Sequence, residues 1–223
     1  MVTGDALAIR IDGALPVSPE SVVKLRELCD RADDHEGGQP VVVHVSGTPA
    51  DSRPEGLTVA LVNKWEQALR RLERLATPTI AVASGDCGGK ALEALLATDY
   101  RIATPRTRFL MPLQEGAAWP GMATFRIAQQ AGAARARRSV LFGMPITAAD
   151  ALSLHLVDEL VADPAAALAR TAELAGAVSG QELAIRRQLL LNAETTSFED
   201  ALGTHLAACD RVLRRAAAVE LTP

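Results

Sequence analysis

One stretch constrains this chain more than any other: Pro78-Thr79-Ile80-Ala81-Val82-Ala83, then Ser84-Gly85-Asp86-Cys87-Gly88-Gly89-Lys90, then Ala91-Leu92-Glu93-Ala94-Leu95-Leu96-Ala97. It reads as a buried strand over Thr79–Ala83, a glycine-rich turn over Ser84–Lys90 and a strongly apolar helix over Ala91–Ala97. Glycines let a ligand approach the backbone closely, and the first amides of a helix point outward without intrahelical acceptors. The positive end of the helix dipole favours a developing negative charge there. Packing and turn chemistry account for such a Gly-Gly pair as readily as a ligand does. The string holds no G-x-G-x-x-G dinucleotide pattern, and Lys90 lacks the G-x-x-x-x-G-K-[ST] frame of a phosphate loop. No G-x-S-x-G elbow occurs, which argues against a serine hydrolase.

The elements around this stretch alternate. Ala6–Ile11 reads as a strand ended by Asp12-Gly13, and Ser18-Pro19 as the cap and first residue of a helix. Pro40–Val45 is a short β-branched strand, Thr48–Gly56 a loop, and Leu57–Leu75 a long amphipathic helix carrying Trp65. Tyr100–Ala103 and Arg108–Met111 follow as short strands. After Gly121 the pattern is helical, over Met122–Gly132, Ala134–Phe142, Thr147–Leu154, Asp163–Ser179, Glu182–Asn192 and Ser197–Ala217. Strands alternating with helices, then helices alone, give an α/β core over residues 1–160 and a helical C-terminal region over 161–223. That region belongs either to the same domain or to an oligomerisation element. Leu202, Leu206, Cys209 and Leu213 are spaced for one buried helix face, within the chain or between subunits.

At 223 residues the chain is long enough for one full domain. Aromatic residues make up only 3%, so Ala, Leu and Val must fill the core. A formal charge of −4 argues against a nucleic-acid binder. The basic clusters Arg70/Arg71/Arg74, Arg135/Arg137/Arg138 and Arg186/Arg187 read as solvated helix faces, with the phosphate of an anionic ligand as the alternative. Cys29, Cys87 and Cys209 show neither CxxC pairing nor metal-ligand spacing, so no metal is expected. No signal-peptide pattern and no membrane-length apolar run is readable, so a cytoplasmic, reduced protein is expected.

Pro78–Gly85, Thr98-Asp99-Tyr100-Arg101-Ile102-Ala103, Phe109-Leu110-Met111-Pro112 and Gly143-Met144-Pro145-Ile146-Thr147-Ala148-Ala149-Asp150-Ala151 with Leu156-Val157-Asp158 carry a resemblance. Together they resemble the crotonase (enoyl-CoA hydratase/isomerase) superfamily over about Val41–Arg215. The resemblance implies a ββα superhelix core with a C-terminal helical part, a coenzyme A thioester as substrate and no cofactor. It also implies trimers or paired trimers.

Glu93 falls on the first of the hydratases' two catalytic glutamates. A carboxylate in the first turns of an apolar helix is desolvated and holds its proton more tightly, which suits general acid–base work. A solvent-facing helix glutamate is the plain alternative. The second glutamate position is Leu113, a departure that puts two-carboxylate hydration in doubt; Glu115 lies near enough to substitute by a register change. The family's two oxyanion amides map onto Lys90, beside Gly89, and onto the loop Thr48-Pro49-Ala50-Asp51, where Ala50 or Asp51 is the candidate. Asp86, Cys87, Gly88, Leu113 and Trp119 are candidate pocket residues. Cys87 reads as packing rather than as a nucleophile, and His44 as a core histidine.

The short chain, the Gly-Asp-Cys-Gly-Gly turn and Leu113 look closer to the small crotonase-like proteins of dihydroxyphenylacetyl-CoA biosynthesis than to a β-oxidation hydratase. That likeness implies dehydration and aromatisation of a poly-β-keto thioester on the way to 3,5-dihydroxyphenylglycine of glycopeptide antibiotics. The implied partners are a type III polyketide synthase and a second crotonase. The alternative reading is a non-catalytic accessory subunit that enhances the synthase or the partner crotonase.

Overall fold

The computed structural model describes residues 7–35, 39–50, 56–114, 117–178, 180–193 and 195–220. Strand β1 (Ala8–Asp12) leads into helix α1 (Pro19–Asp34), which Ser18 caps by accepting from the Ser21 amide, with Pro19 at the first helical position. Strand β2 (Val41–Gly47), helix α2 (Val59–Leu72), strand β3 (Thr79–Gly88) and helix α3 (Lys90–Leu96) follow. Next come β4 (Tyr100–Ala103), β5 (Arg108–Leu110) and a hairpin of two-residue strands, β6 (Leu113–Gln114) and β7 (Ala117–Ala118). The chain then runs through α4 (Ala123–Ala131), α5 (Ala133–Phe142), β8 (Ile146–Thr147), α6 (Ala148–Ser153), β9 (Glu159–Leu160), α7 (Pro164–Gly176), α8 (Gln181–Ala193) and α9 (Phe198–Glu220).

The main sheet runs β1-β2-β3-β4-β9 in parallel. Strand β5 also pairs with β3, and β8 closes on β5 in antiparallel fashion. This is the α/β architecture expected from the alternation of elements. Strand β3 is longer than its apolar run because it serves two neighbours in turn. Its first half pairs Val82 with Ile102 of β4, and its second half pairs Cys87 with Phe109 of β5. Between the halves the pairing with β2 shifts, from Val45 opposite Ala83 to Gly47 opposite Cys87. The shift brings the end of β2, and the loop that starts at Thr48, beside Gly88 and Gly89.

The core matches the composition. Alanines 81, 83, 91, 94 and 103 are fully or almost fully buried among leucines and valines, with Trp65 and Phe109 the largest buried side chains. Every residue of α3 is buried. Its C-terminal carbonyls are held by Arg101, which donates to the carbonyls of Leu96 and Thr98, while Gln130 also donates to Leu96. A cation at a helix C-terminus suits the dipole there. Burial nevertheless pulls the Arg101 guanidinium down to about 10.

Helix α7 covers the far side of β3 and β4 through Ala167, in a small cluster with Ile80 and Ile102. Helix α8 is fastened to the core by Arg187, which donates to both carboxylate oxygens of Asp99 and to the carbonyls of Leu75 and Thr77. On α9 the stripe that spacing marked as a buried face lies uncovered within the chain: Leu202, Leu206 and Leu213 are 43%, 56% and 69% exposed, and Cys209 is exposed too.

Candidate active site

Helix α3 carries Glu93 in its first turn, and the side chain is only 2% exposed. Two donors hold its carboxylate. The indole Nε1 of Trp65, on α2, donates to Oε2 at 2.9 Å, and the backbone amide of Met122, at the start of α4, donates to Oε1 at 3.1 Å. Both stabilise the charged form, and Arg126 attracts it from α4. Desolvation and the like charge of Glu66 outweigh them, and the Glu93 carboxyl is pushed up to about 7. The group is therefore poised to give and to take a proton near neutral pH.

Glu93 lines a cleft whose empty space, the solvent at its mouth included, is about 350 Å³. Gly89, Met111, Pro112, Leu113, Trp119, Ala123, Thr124 and Val140 line the rest of it. Among the described residues that line it, Glu93 is the one with an ionisable side chain. Leu113, on the expected second-glutamate position, lies against Gly143, where an added Cβ would fall 3.2 Å from its Cδ1, and contributes an apolar side chain to the cleft lining. Glu115 lies outside the described residues.

Two glycines are required by close approach. Gly89 has φ +51°, and a Cβ there would fall 2.7 Å from Pro49 and 3.4 Å from the indole nitrogen of Trp119. Gly121 has φ +154°, and its Cβ would fall 1.7 Å from Glu93 Oε1. The loop after β2 therefore lies directly on the glycine turn, with Pro49 over Gly89 and Thr48 over Gly88. Ala50 follows them and is exposed, while Asp51 lies outside the described residues. No side chain caps α3. The Lys90 amide stands at a helix start, where backbone donors have no intrahelical acceptor.

The Lys90 side chain neither crowds the cleft nor charges it. It is buried, runs to the other side of α3 and donates to the Pro16 carbonyl at 3.1 Å. Burial lowers its affinity for a proton. Asp86 and Cys87 also stand away from the cleft lining. Asp86 forms a two-pronged ion pair with Arg108 on the surface, 2.7 Å to Nε and 2.6 Å to Nη2, which holds its carboxyl below the usual value. Cys87 is fully buried, its Sγ 3.5 Å from the Val45 carbonyl, and desolvation pushes the thiol up to about 12. Side chains alternate along β3, so the residue that follows the outward Asp86 turns into the core. His44 sits on β2, half-buried, where desolvation lowers its affinity for a proton.

Sequence reasoning missed the supports of Glu93. The sequence places Trp65 only on its helix, and no motif singles out Glu66, Met122 or Arg126. One signal was available, since a buried indole seeks an acceptor. Nothing in the local pattern of α2 could show that this acceptor lies 28 residues away.

Comparison with known proteins places the chain in a family. The enoyl-CoA hydratase/isomerase family profile matches residues 55–220. An "Enoyl-CoA-hydratase" of Amycolatopsis orientalis is 56% identical over 211 residues, covering 95% of this chain and 97% of that protein. The fold is shared with an enoyl-CoA hydratase/isomerase from Marinobacter aquaeolei (TM-score 0.76, 18% identity, 99% of this chain and 90% of that one). It is shared also with an enoyl-CoA hydratase from Shewanella pealeana (TM-score 0.74, 18% identity, 96% and 80%). With most of its length matched by the family profile, this chain belongs to the enoyl-CoA hydratase/isomerase, or crotonase, family.

Proposed function

We propose that this protein binds an acyl-CoA thioester in the Glu93 cleft and dehydrates it, with Glu93 as a single acid–base group. The observation that carries this reading is one buried carboxyl poised near pH 7, facing a cleft whose other described side chains do not ionise. Ionised Glu93 takes the α proton, and the C–H electron pair moves onto the thioester oxygen as an enolate. The backbone amides of Lys90 and of the loop at Ala50 receive that oxyanion, each contributing roughly 3 kcal/mol. The enolate then reforms its carbonyl, the β C–O bond breaks, and the hydroxyl leaves as water with the proton from Glu93. One carboxyl serves both steps because it is regenerated as the base when the water departs.

We further propose that the substrate is a poly-β-keto thioester on the route to 3,5-dihydroxyphenylglycine. Support comes from the likeness to small crotonase-like proteins of that chemistry and from Leu113, which departs from two-glutamate hydratases. A type III polyketide synthase would supply the thioester, and a second crotonase would act beside this one. Leu113 also favours a second reading, an accessory subunit that raises the turnover of such a partner without chemistry of its own.

Calorimetry with acetoacetyl-CoA, followed by turnover of a β-hydroxyacyl-CoA by wild type and Glu93→Gln, separates the two. Micromolar binding with turnover lost in the variant supports the enzyme. Undiminished turnover in folded Glu93→Gln refutes it, and absence of binding moves the weight to the accessory subunit.

A further inference from the structure

The amide of Met122 serves two carboxylates. It donates to Glu93 Oε1 at 3.1 Å and to Glu66 Oε1 at 3.1 Å, so the two oxygens converge on one hydrogen. A three-centre bond of this kind gives each acceptor less than a bond of its own would. The other oxygen of Glu66 accepts from Arg126 Nη1 at 2.7 Å, and Arg126 Nε donates to Glu73 at 2.8 Å. Arg70 in turn donates to the second oxygen of Glu73. Arg126 thus spends its hydrogen bonds on Glu66 and Glu73 and gives none to Glu93.

Few other charges reach this corner. Glu66 faces Glu93 from α2 and Arg126 from α4, with Glu73 and Arg70 behind Arg126. The nearby walls from β6 and α5 present Leu113 and Val140. On α3 itself Lys90 turns away to Pro16. Glu66 is mostly buried, at 16% side-chain exposure, so water screens its effect on Glu93 only weakly.

We propose that Glu66 is a positioning residue for Glu93: it shares the Met122 amide with Glu93 and sets a second negative charge beside it. It lies outside the cleft lining and acts through Glu93 alone. The inference deepens the reading of Glu93 as the acid–base group and rests on it. Desolvation raises the Glu93 carboxyl most, and the Glu66 charge raises it further.

The structure supplies a reporter that needs no substrate. The chain has two tryptophans, and the Trp65 indole N–H is bonded to Glu93 Oε2, so its NMR resonance must follow Glu93 ionisation. Trp119→Phe assigns the two indole signals. Titration of wild type from pH 5 to 9 should give a Trp65 midpoint near 7. Glu66→Gln is isosteric and keeps an acceptor for Arg126, and it should move the midpoint acid-ward by about one pH unit. Glu66→Ala, which also removes the charge, should move it the same way, whereas Glu66→Asp should restore it toward wild type. The acidic limb of the pH–rate profile, where Glu93 must ionise to act as the base, should follow the same order. Midpoints that coincide in wild type and either folded neutral variant overturn the proposal. Turnover that survives Glu93→Gln would instead overturn the catalytic reading, and the titration would remain interpretable.

Discussion

Replacing Glu93 by glutamine should make the protein more stable at alkaline pH relative to wild type, and the gain should vanish in acid. The Glu93 carboxyl is raised from 4.5 to about 7 by desolvation and by Glu66. Between those values the native state holds a proton that the unfolded state has released. Unfolding free energy then falls as pH rises, by about 1.4 kcal/mol per pH unit for one proton. Across the whole window the loss is of order 3 kcal/mol; below 4.5 both states are protonated, above 7 neither is, and the curve is flat. Glutamine cannot titrate, so the variant lacks this slope. It meets two donors, Trp65 and Met122, with one amide oxygen, which costs about 1–3 kcal/mol at every pH. The offset cancels when the difference between variant and wild type is followed with pH. Urea unfolding of both proteins at pH 5, 6, 7 and 8 measures it. A stability difference that stays constant across this range within about 0.5 kcal/mol would show that Glu93 does not hold its proton in the fold, and the reasoning from its burial would fail.

Three further outcomes follow from named contacts. Gly121→Ala sets a Cβ 1.7 Å from Glu93 Oε1 and must displace the carboxylate, so turnover should fall about 100-fold in a protein that still folds; unchanged turnover would sever Glu93's position from the chemistry. Arg187→Ala strips Asp99 and the carbonyls of Leu75 and Thr77 of a buried cation and should cost about 3–5 kcal/mol in urea unfolding, a loss that values below 1 kcal/mol would contradict. The Cys29 and Cys87 thiols, raised by burial to about 11 and 12, should resist a thiol reagent at pH 7.5 until the protein unfolds, while exposed Cys209 should react in the native state.

Much of the fold could be read because its signals are local. Ser18-Pro19 marks the start of α1 to the residue, and the β-branched run 41–45 is the body of β2. The local pattern ends strand β3 at Ala83 because its last residues look like a turn; they become strand only by pairing with β5, whose position no local pattern reveals. The hairpin β6–β7 and strands β8 and β9 have two residues each, too few for any periodicity. The stripe on α9 has the right spacing for burial, but spacing cannot say whether the chain itself supplies the cover, and among the described residues none does.

The site divides in the same way. Glu93 could be found because it follows the glycine turn, and Leu113 because it follows Phe109-Leu110-Met111-Pro112. The groups that set the chemistry of Glu93 could not, since Trp65 and Glu66 come from α2 and Met122 and Arg126 from the start of α4. Only the packing of three helices brings them to one carboxyl.

The central claim is that this cleft forms a thioester enolate with Glu93 as the base. Exchange of the α hydrogens of a saturated acyl-CoA, such as butyryl-CoA, in D₂O tests it most directly, because the readout by mass spectrometry needs no β-hydroxyl and no partner protein. The account predicts deuterium incorporation at the α carbon by wild type, falling by at least about 100-fold in folded Glu93→Gln. Exchange at the same rate in both proteins, or none by wild type that demonstrably binds the thioester, would contradict it.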